Sequence, residues 1–124
     1  MDIIISNSSD KPIYDQIASQ IKSLIMSGSL QAHEMLPSIR FLAKELRISV
    51  ITTKRAYEDL ERDGFIETVA GKGSFVAERN LELIREERLK IIEDYLNKAV
   101  KSAKESGIGT GELIQMIQII SGED

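Results

Sequence analysis

Between positions 40 and 55 of the 124-residue chain stand five cations, Arg40, Lys44, Arg47, Lys54 and Arg55, against the single anion Glu45. This local charge of +4 sits in a chain of formal net charge −4. Cations gathered this way, with Thr52 among them, are the residue types that hold phosphates and read base edges in duplex DNA. A further cation, Lys72, stands between Gly71 and Gly73. There a bare backbone loop and one charge can approach a phosphate or a minor groove. Charge alone leaves open the alternative that these are ordinary solvated faces.

The residues spell out no catalytic chemistry. His33 is the only histidine and there is no cysteine, so no metal-ligand set and no acid–base pair assembles around it. Gly71-Lys72-Gly73 lacks the spacing of a P-loop and precedes no helix. The expectation is a chain with no enzymatic activity, no metal and no cofactor. The lack of cysteine also excludes disulfides and fits a reducing cytoplasm. No run of about 18 apolar residues and no basic-then-apolar leader is present, so neither a membrane span nor secretion is expected. A composition of 42% hydrophobic and 29% charged residues is ordinary for a soluble globular chain. The length suits one compact domain with an appendage.

A net acidic chain argues against nucleic acid only if its charge is evenly spread. Residues 1–79 carry 10 cations and 11 anions, and residues 80–124 carry 6 and 9. The first part is therefore nearly neutral and can keep a cationic reading surface. Its anions gather at Glu58, Asp59, Glu61 and Asp63, downstream of that surface.

The elements that must position these charges lie in residues 36–76. A first short helix is predicted after Pro37, with Ser38 as N-cap and Phe41, Leu42 and Leu46 inward. A second is predicted after Ser49, whose hydroxyl can accept from an early backbone N–H. Its inward stripe is Thr53, Ala56, Tyr57 and Leu60, at the spacing of one helical face. Gly64 ends it as a residue just past the C-cap. Phe65, Ile66 and Val69 read as a strand, Ala70 through Gly73 as its turn, and Phe75-Val76 as the return strand. This is a winged helix-turn-helix. On the second helix Ile51 and Arg55 lie roughly opposite the buried stripe, flanked by Thr52 and Lys54, which suits insertion of its N-terminal end into a major groove.

These residues resemble the GntR family of transcriptional repressors, in its short YtrA-like form. The match runs through Pro12-Ile13-Tyr14 with Gln16-Ile17, Gly28 with Leu30, and Leu36-Pro37-Ser38 with Arg40, Leu42 and Ala43. It continues through Arg55-Ala56-Tyr57, Leu60-Glu61, Gly64, and Gly71-Lys72-Gly73 with Phe75-Val76. By position in the family's motif, the resemblance assigns Arg40, Thr52, Lys54, Arg55, Lys72 and Gly73 to DNA. Arg47, Val50, Ile51 and Gly71 complete the candidate surface. The chain departs from the family after Ser49, where relatives usually place arginine-threonine or proline-asparagine and Val50 and Ile51 stand here. These two cannot donate to guanine but can pack on the C5-methyl of thymine. The alternative is that both pack on the protein itself. Arg47 stands where the family often has the turn's glycine, and His33 likewise replaces a turn glycine.

The rest of the chain supports that centre. Residues 1–10 read as an extended arm packed on the domain. Asp10 is a possible cap and Pro12 a suitable first residue of a helix that carries Ile13, Ile17, Ile21, Leu24 and Ile25 inward and ends at Gly28. Asn80 is the expected cap of a long helix with Leu81, Ile84, Ile91, Ile92, Tyr95, Leu96, Ala99, Val100 and Ala103 in its apolar pattern, running to about Glu105. Gly107-Ile108-Gly109 breaks it. Thr110 can cap a last helix in which Leu113, Met116, Ile117 and Ile120 share a face.

The expected fold is mainly α with a small β hairpin. A winged domain over residues 1–79 is followed by a two-helix dimerisation region over residues 80–124. Ile84, Ile91, Tyr95, Leu113, Met116, Ile117 and Ile120 are the candidate interface, because so much apolar surface on short helices calls for a second copy. A hairpin folded back on the winged domain is the alternative. Two helices leave little room to enclose a small-molecule effector. The expected partners are an operator duplex and a second subunit. A winged module that binds protein and not DNA is the competing reading.

Overall fold

The computed structural model describes residues 1–78 and 81–123, the side chain of Leu81 excepted. The chain divides into two compact units, Met1–Leu83 and Ile84–Asp124. The expected cap Asn80 lies outside the described residues.

In the first unit three helices pack around one another: α1 (Ile13–Met26), α2 (Ile39–Leu46) and α3 (Val50–Arg62). Helix α3 is the central one, packed against both α1 and α2. Its stripe of Thr53, Ala56, Tyr57 and Leu60 is buried as the period requires. Ile17, Ile21 and Ile25 of α1 and Leu42 and Ala43 of α2 complete the helical core. Thr53 is the one α3 polar group taken fully inside, and its Oγ1 donates to the Ser49 carbonyl at 3.1 Å.

Helix α2 corrects one expectation. Phe41 does not point inward; it is 55% exposed, and Leu42 and Ala43 form the buried face instead. The start of α1 is a second correction. Pro12 occupies the N-cap position with no side-chain cap, so Asp10 does not cap it and Pro12 precedes the helix.

The arm of residues 1–10 is held from within the helix. Gln20 accepts from Ile4 N at 2.9 Å and donates to Ile4 O at 2.7 Å. Gln16 does the same to Ser6, at 2.8 and 2.9 Å. One turn of helix matches two residues of extended chain, so two glutamine amides act as the missing neighbour strand. Ile3 is buried on the domain by this pairing.

Strands β1 (Ile66–Val69) and β2 (Gly73–Val76) form the antiparallel hairpin, in register Ile66 with Val76 through Val69 with Gly73. The return strand starts two residues earlier than expected, at Gly73. The other edge of β2 is also occupied. Met35 bridges Phe75, Leu36 N donates to Ser74 O, and His33 N donates to Val76 O. His33 enters this edge at φ 69, the left-handed conformation expected of a residue in a glycine's place. Its Nε2 lies 2.8 Å from a Glu78 carboxylate oxygen.

The second unit holds all but the first residues of α4 (Leu81–Glu105), and all of α5 (Thr110–Ser121). Gly109, not Thr110, occupies the N-cap of α5, and no side chain caps it. The corner closes with Ile108 N donating to Ala103 O at 2.8 Å, and Ala103 is buried there. Helix α5 has no buried residue. No helix among the described residues is long and apolar enough to cross a membrane.

Candidate nucleic-acid interface

Two serine caps define where the reading surface begins. Ser38 Oγ accepts from Phe41 N at 3.1 Å at the start of α2, and Ser49 Oγ accepts from Thr52 N at 3.1 Å at the start of α3. Each satisfies one of the unpaired amides that a helix start leaves. Arg40 therefore projects, exposed, from the first turn of a capped helix. The α2 start is further tied to α3 by Tyr57, whose hydroxyl donates to Pro37 O at 2.7 Å. Burial pushes the Tyr57 phenol well above the ordinary tyrosine range, so it stays a donor.

The turn between α2 and α3 contains Arg47 at φ 57, in the left-handed region, with its N–H on Ala43 O and Lys44 O. That conformation is the one glycine adopts without cost. The side chain is exposed beside the start of α3. Val50 and Ile51 follow as the first residues of α3, 46% and 81% exposed. Ile51 is thus free of the protein core, against the alternative that it packs inward. Thr52 is half-buried and its Oγ1 accepts from Ser49 Oγ at 2.8 Å.

Lys54 is exposed and loosely paired with Glu58 at 3.9 Å. Further along, Arg62 is tied to Asp59 at 3.1 Å and to Asp63 at 3.6 Å. Asp63 also accepts from Lys22 of α1 at 2.8 Å. The Lys22 hydrogen bond holds its carboxyl below the usual aspartate range, against partial burial. The downstream half of α3 is therefore a surface of internally paired charges, whereas Lys54 upstream is exposed and held only by its 3.9 Å approach to Glu58.

Arg55 sits differently from the other cations. Its guanidinium carbon lies 3.7 Å from the centroid of the Tyr14 ring on α1. At the hairpin tip Gly71 and Gly73 take φ 77 and 126, conformations that a side chain would strain. Lys72 between them is exposed, and its N–H closes the turn on Val69 O at 2.9 Å.

Sequence reasoning did not find the partners of these residues. In the sequence Tyr14 stands out only as part of a family signature, and Tyr57 only as part of that signature and of the buried stripe. Their contacts join positions 41 and 20 residues apart, which no local pattern reports.

The proposed interface residues of the second unit are also placed. Ile91, Tyr95, Met116, Ile117 and Ile120 are exposed and Leu113 is half-buried. Ile84 differs. At 9% exposure it is largely covered in the single chain.

Residues 13–76 match the family described as "Bacterial regulatory proteins, gntR family". The chain is 33% identical over 121 residues to the HTH-type transcriptional repressor YtrA of Bacillus subtilis, covering 98% of this chain and 93% of that relative. A GntR family transcriptional regulator from Listeria monocytogenes has a similar structure. Its TM-score is 0.71 at 30% identity, over 92% of this chain and 97% of that one. AraR(DBD), whose structure is in complex with operator ORX1, matches with a TM-score of 0.55 at 26% identity, over 62% of this chain and 96% of that one.

Proposed function

The chain belongs to the gntR family of bacterial regulatory proteins and is a DNA-binding transcriptional regulator, and from that premise we propose that it represses from a palindromic operator as a homodimer in the cytoplasm. The observation that carries the reading is the split surface of α3. Its N-terminal end offers the exposed Val50, Ile51 and Lys54, the last only loosely held by Glu58, beside a capped Arg40, while Arg62 at its C-terminal end is tied to Asp59 and Asp63. In this reading the N-terminal end of α3 enters the major groove. Lys72 at the hairpin tip contacts the adjacent backbone or minor groove.

The second unit supports the dimer. Most apolar residues of α5 are exposed in one chain, Leu113 being half-buried. A second copy, placing its α4 and α5 against these, buries both sets and sets two winged domains on two half-sites. The winged domain covers residues 1–79 and the dimerisation region residues 80–124. No effector pocket is assigned.

Selection of bound fragments from a random DNA library, followed by fluorescence anisotropy against salt, tests this reading. If each subunit neutralises about four phosphates, the log–log slope for a dimer is about −7, at roughly 0.9 per phosphate. A slope near zero, or recovery of no common sequence, would return the chain to the reading of a winged protein-binding module.

A further inference from the structure

The Tyr14–Arg55 contact separates Arg55 from every other cation of α3. Lys54 and Arg62 on the same helix face carboxylates. Among the described residues no carboxylate pairs with Arg55, and its guanidinium instead lies over a ring face at 3.7 Å. The chemical consequence is specific. A carboxylate would occupy the N–H donors of the guanidinium. A ring face attracts the plane of the cation and leaves the donors along its edge unused. Tyr14 stands in the first turn of α1 and is half-buried, so the platform is fixed by the packing of α1 on α3.

Position adds to this. Arg55 is the sixth residue of α3, about a turn beyond Val50 and Ile51. The stack ties its head to a ring on α1, a different element from the α3 start that enters a groove in this reading. An exposed arginine fork clamped on a ring face with its donors unused suits a phosphate oxygen. Stacking also removes rotamer freedom before DNA arrives, so less is lost on binding.

We propose that Tyr14 is a positioning residue for DNA binding, and that its ring holds Arg55 as a dedicated phosphate contact outside the base-reading set. This rests on the DNA-binding reading above. It adds a residue that touches no DNA, and it sorts one contact into the sequence-independent class.

The test uses the full chain and a duplex recovered from a random library by the wild-type protein. Arg55→Ala should reduce the salt slope by about 0.9 per half-site and leave the base preferences of the selected pool unchanged. Tyr14→Leu should weaken binding about two- to fivefold per half-site, the range of a partly exposed cation–π contact. Tyr14→Phe should bind as wild type, because the ring face is retained. In the Arg55→Ala background, Tyr14→Leu should have no further effect.

A Tyr14→Leu that merely loosened the fold would cost as much in that background as in the wild type, and this result would overturn the proposal. So would a Tyr14→Phe as weak as the leucine variant. A changed base preference for Arg55→Ala would overturn the phosphate assignment. Failure of the wild-type chain to select any duplex would instead remove the DNA-binding reading, and the proposal with it.

Discussion

Val50 and Ile51 are the residues at which this chain states its own preference. Their side chains stand at the start of α3 with no donor or acceptor to offer, and Ile51 is 81% exposed. An apolar group left in water at the reading end of a helix gains by meeting the one apolar feature of the major groove, the thymine methyl. Operator half-sites are therefore expected to carry thymines opposite these two residues. Replacing each thymine by uracil removes the methyl and keeps pairing and phosphates. The loss should be about 0.8 kcal/mol for each methyl-sized contact, read by anisotropy. Unchanged affinity at every thymine of the half-site would exclude the contact. Arg47 shows the same local independence at the level of backbone. It takes the left-handed conformation of a glycine and gains in return an exposed cation beside the reading end.

At the scale of the elements, the period and the caps were legible and the contacts between elements were not. The α3 stripe follows from a spacing repeated over thirteen residues, and Ser38 and Ser49 cap as their types require. Helix α2 has eight residues, too few turns for the period to choose between Phe41 and Ala43 as the partner of Leu42 on the buried face. Asp10 and Thr110 have the right chemistry for caps but stand at the wrong positions, since Pro12 and Gly109 hold the cap backbone. Tyr14 on Arg55, Tyr57 on Pro37 and the glutamine clamp on the arm depend on how helices pack, which only the folded chain specifies. The Lys22–Asp63 pair, joining α1 to the end of α3, is of this kind and is testable through pH. Asp63 has a lowered pKa in the folded chain, so its contribution is present above the unfolded value and is lost as pH falls through the folded one. Lys22→Met should lower stability near neutral pH by less than about 1 kcal/mol, as a solvent-screened pair allows. That difference should disappear in acid, once Asp63 is protonated in both proteins. A denaturation difference that stayed constant from neutral to acid pH would show that Lys22 contributes by packing alone, including its approach to the Phe65 ring at 5.4 Å.

For the whole molecule the decisive surface is the one that a single chain leaves bare. Ile114, Met116, Ile117, Ile119 and Ile120 crowd a helix of twelve residues, and hydrophobic surface of that density marks an interaction site. On α4, Leu89, Ile91, Ile92, Tyr95 and Leu96 are exposed as well. Charge does not compete for this surface, because the unit's ionic groups lie between these apolar positions along α4 and are almost absent from α5. Ile117→Asp places a carboxylate where two such faces would meet. In a desolvated contact an unpaired charge costs on the order of several kcal/mol, enough to separate subunits at micromolar concentration. Sedimentation should then report a monomer. Binding to a full palindrome should fall much further than binding to one half-site, since the linked second contact is what the dimer adds. The winged unit keeps its own core in this variant, so its helix content and half-site affinity should persist. A variant that remains dimeric with unchanged palindrome affinity would place the interface elsewhere and leave the tail to another partner.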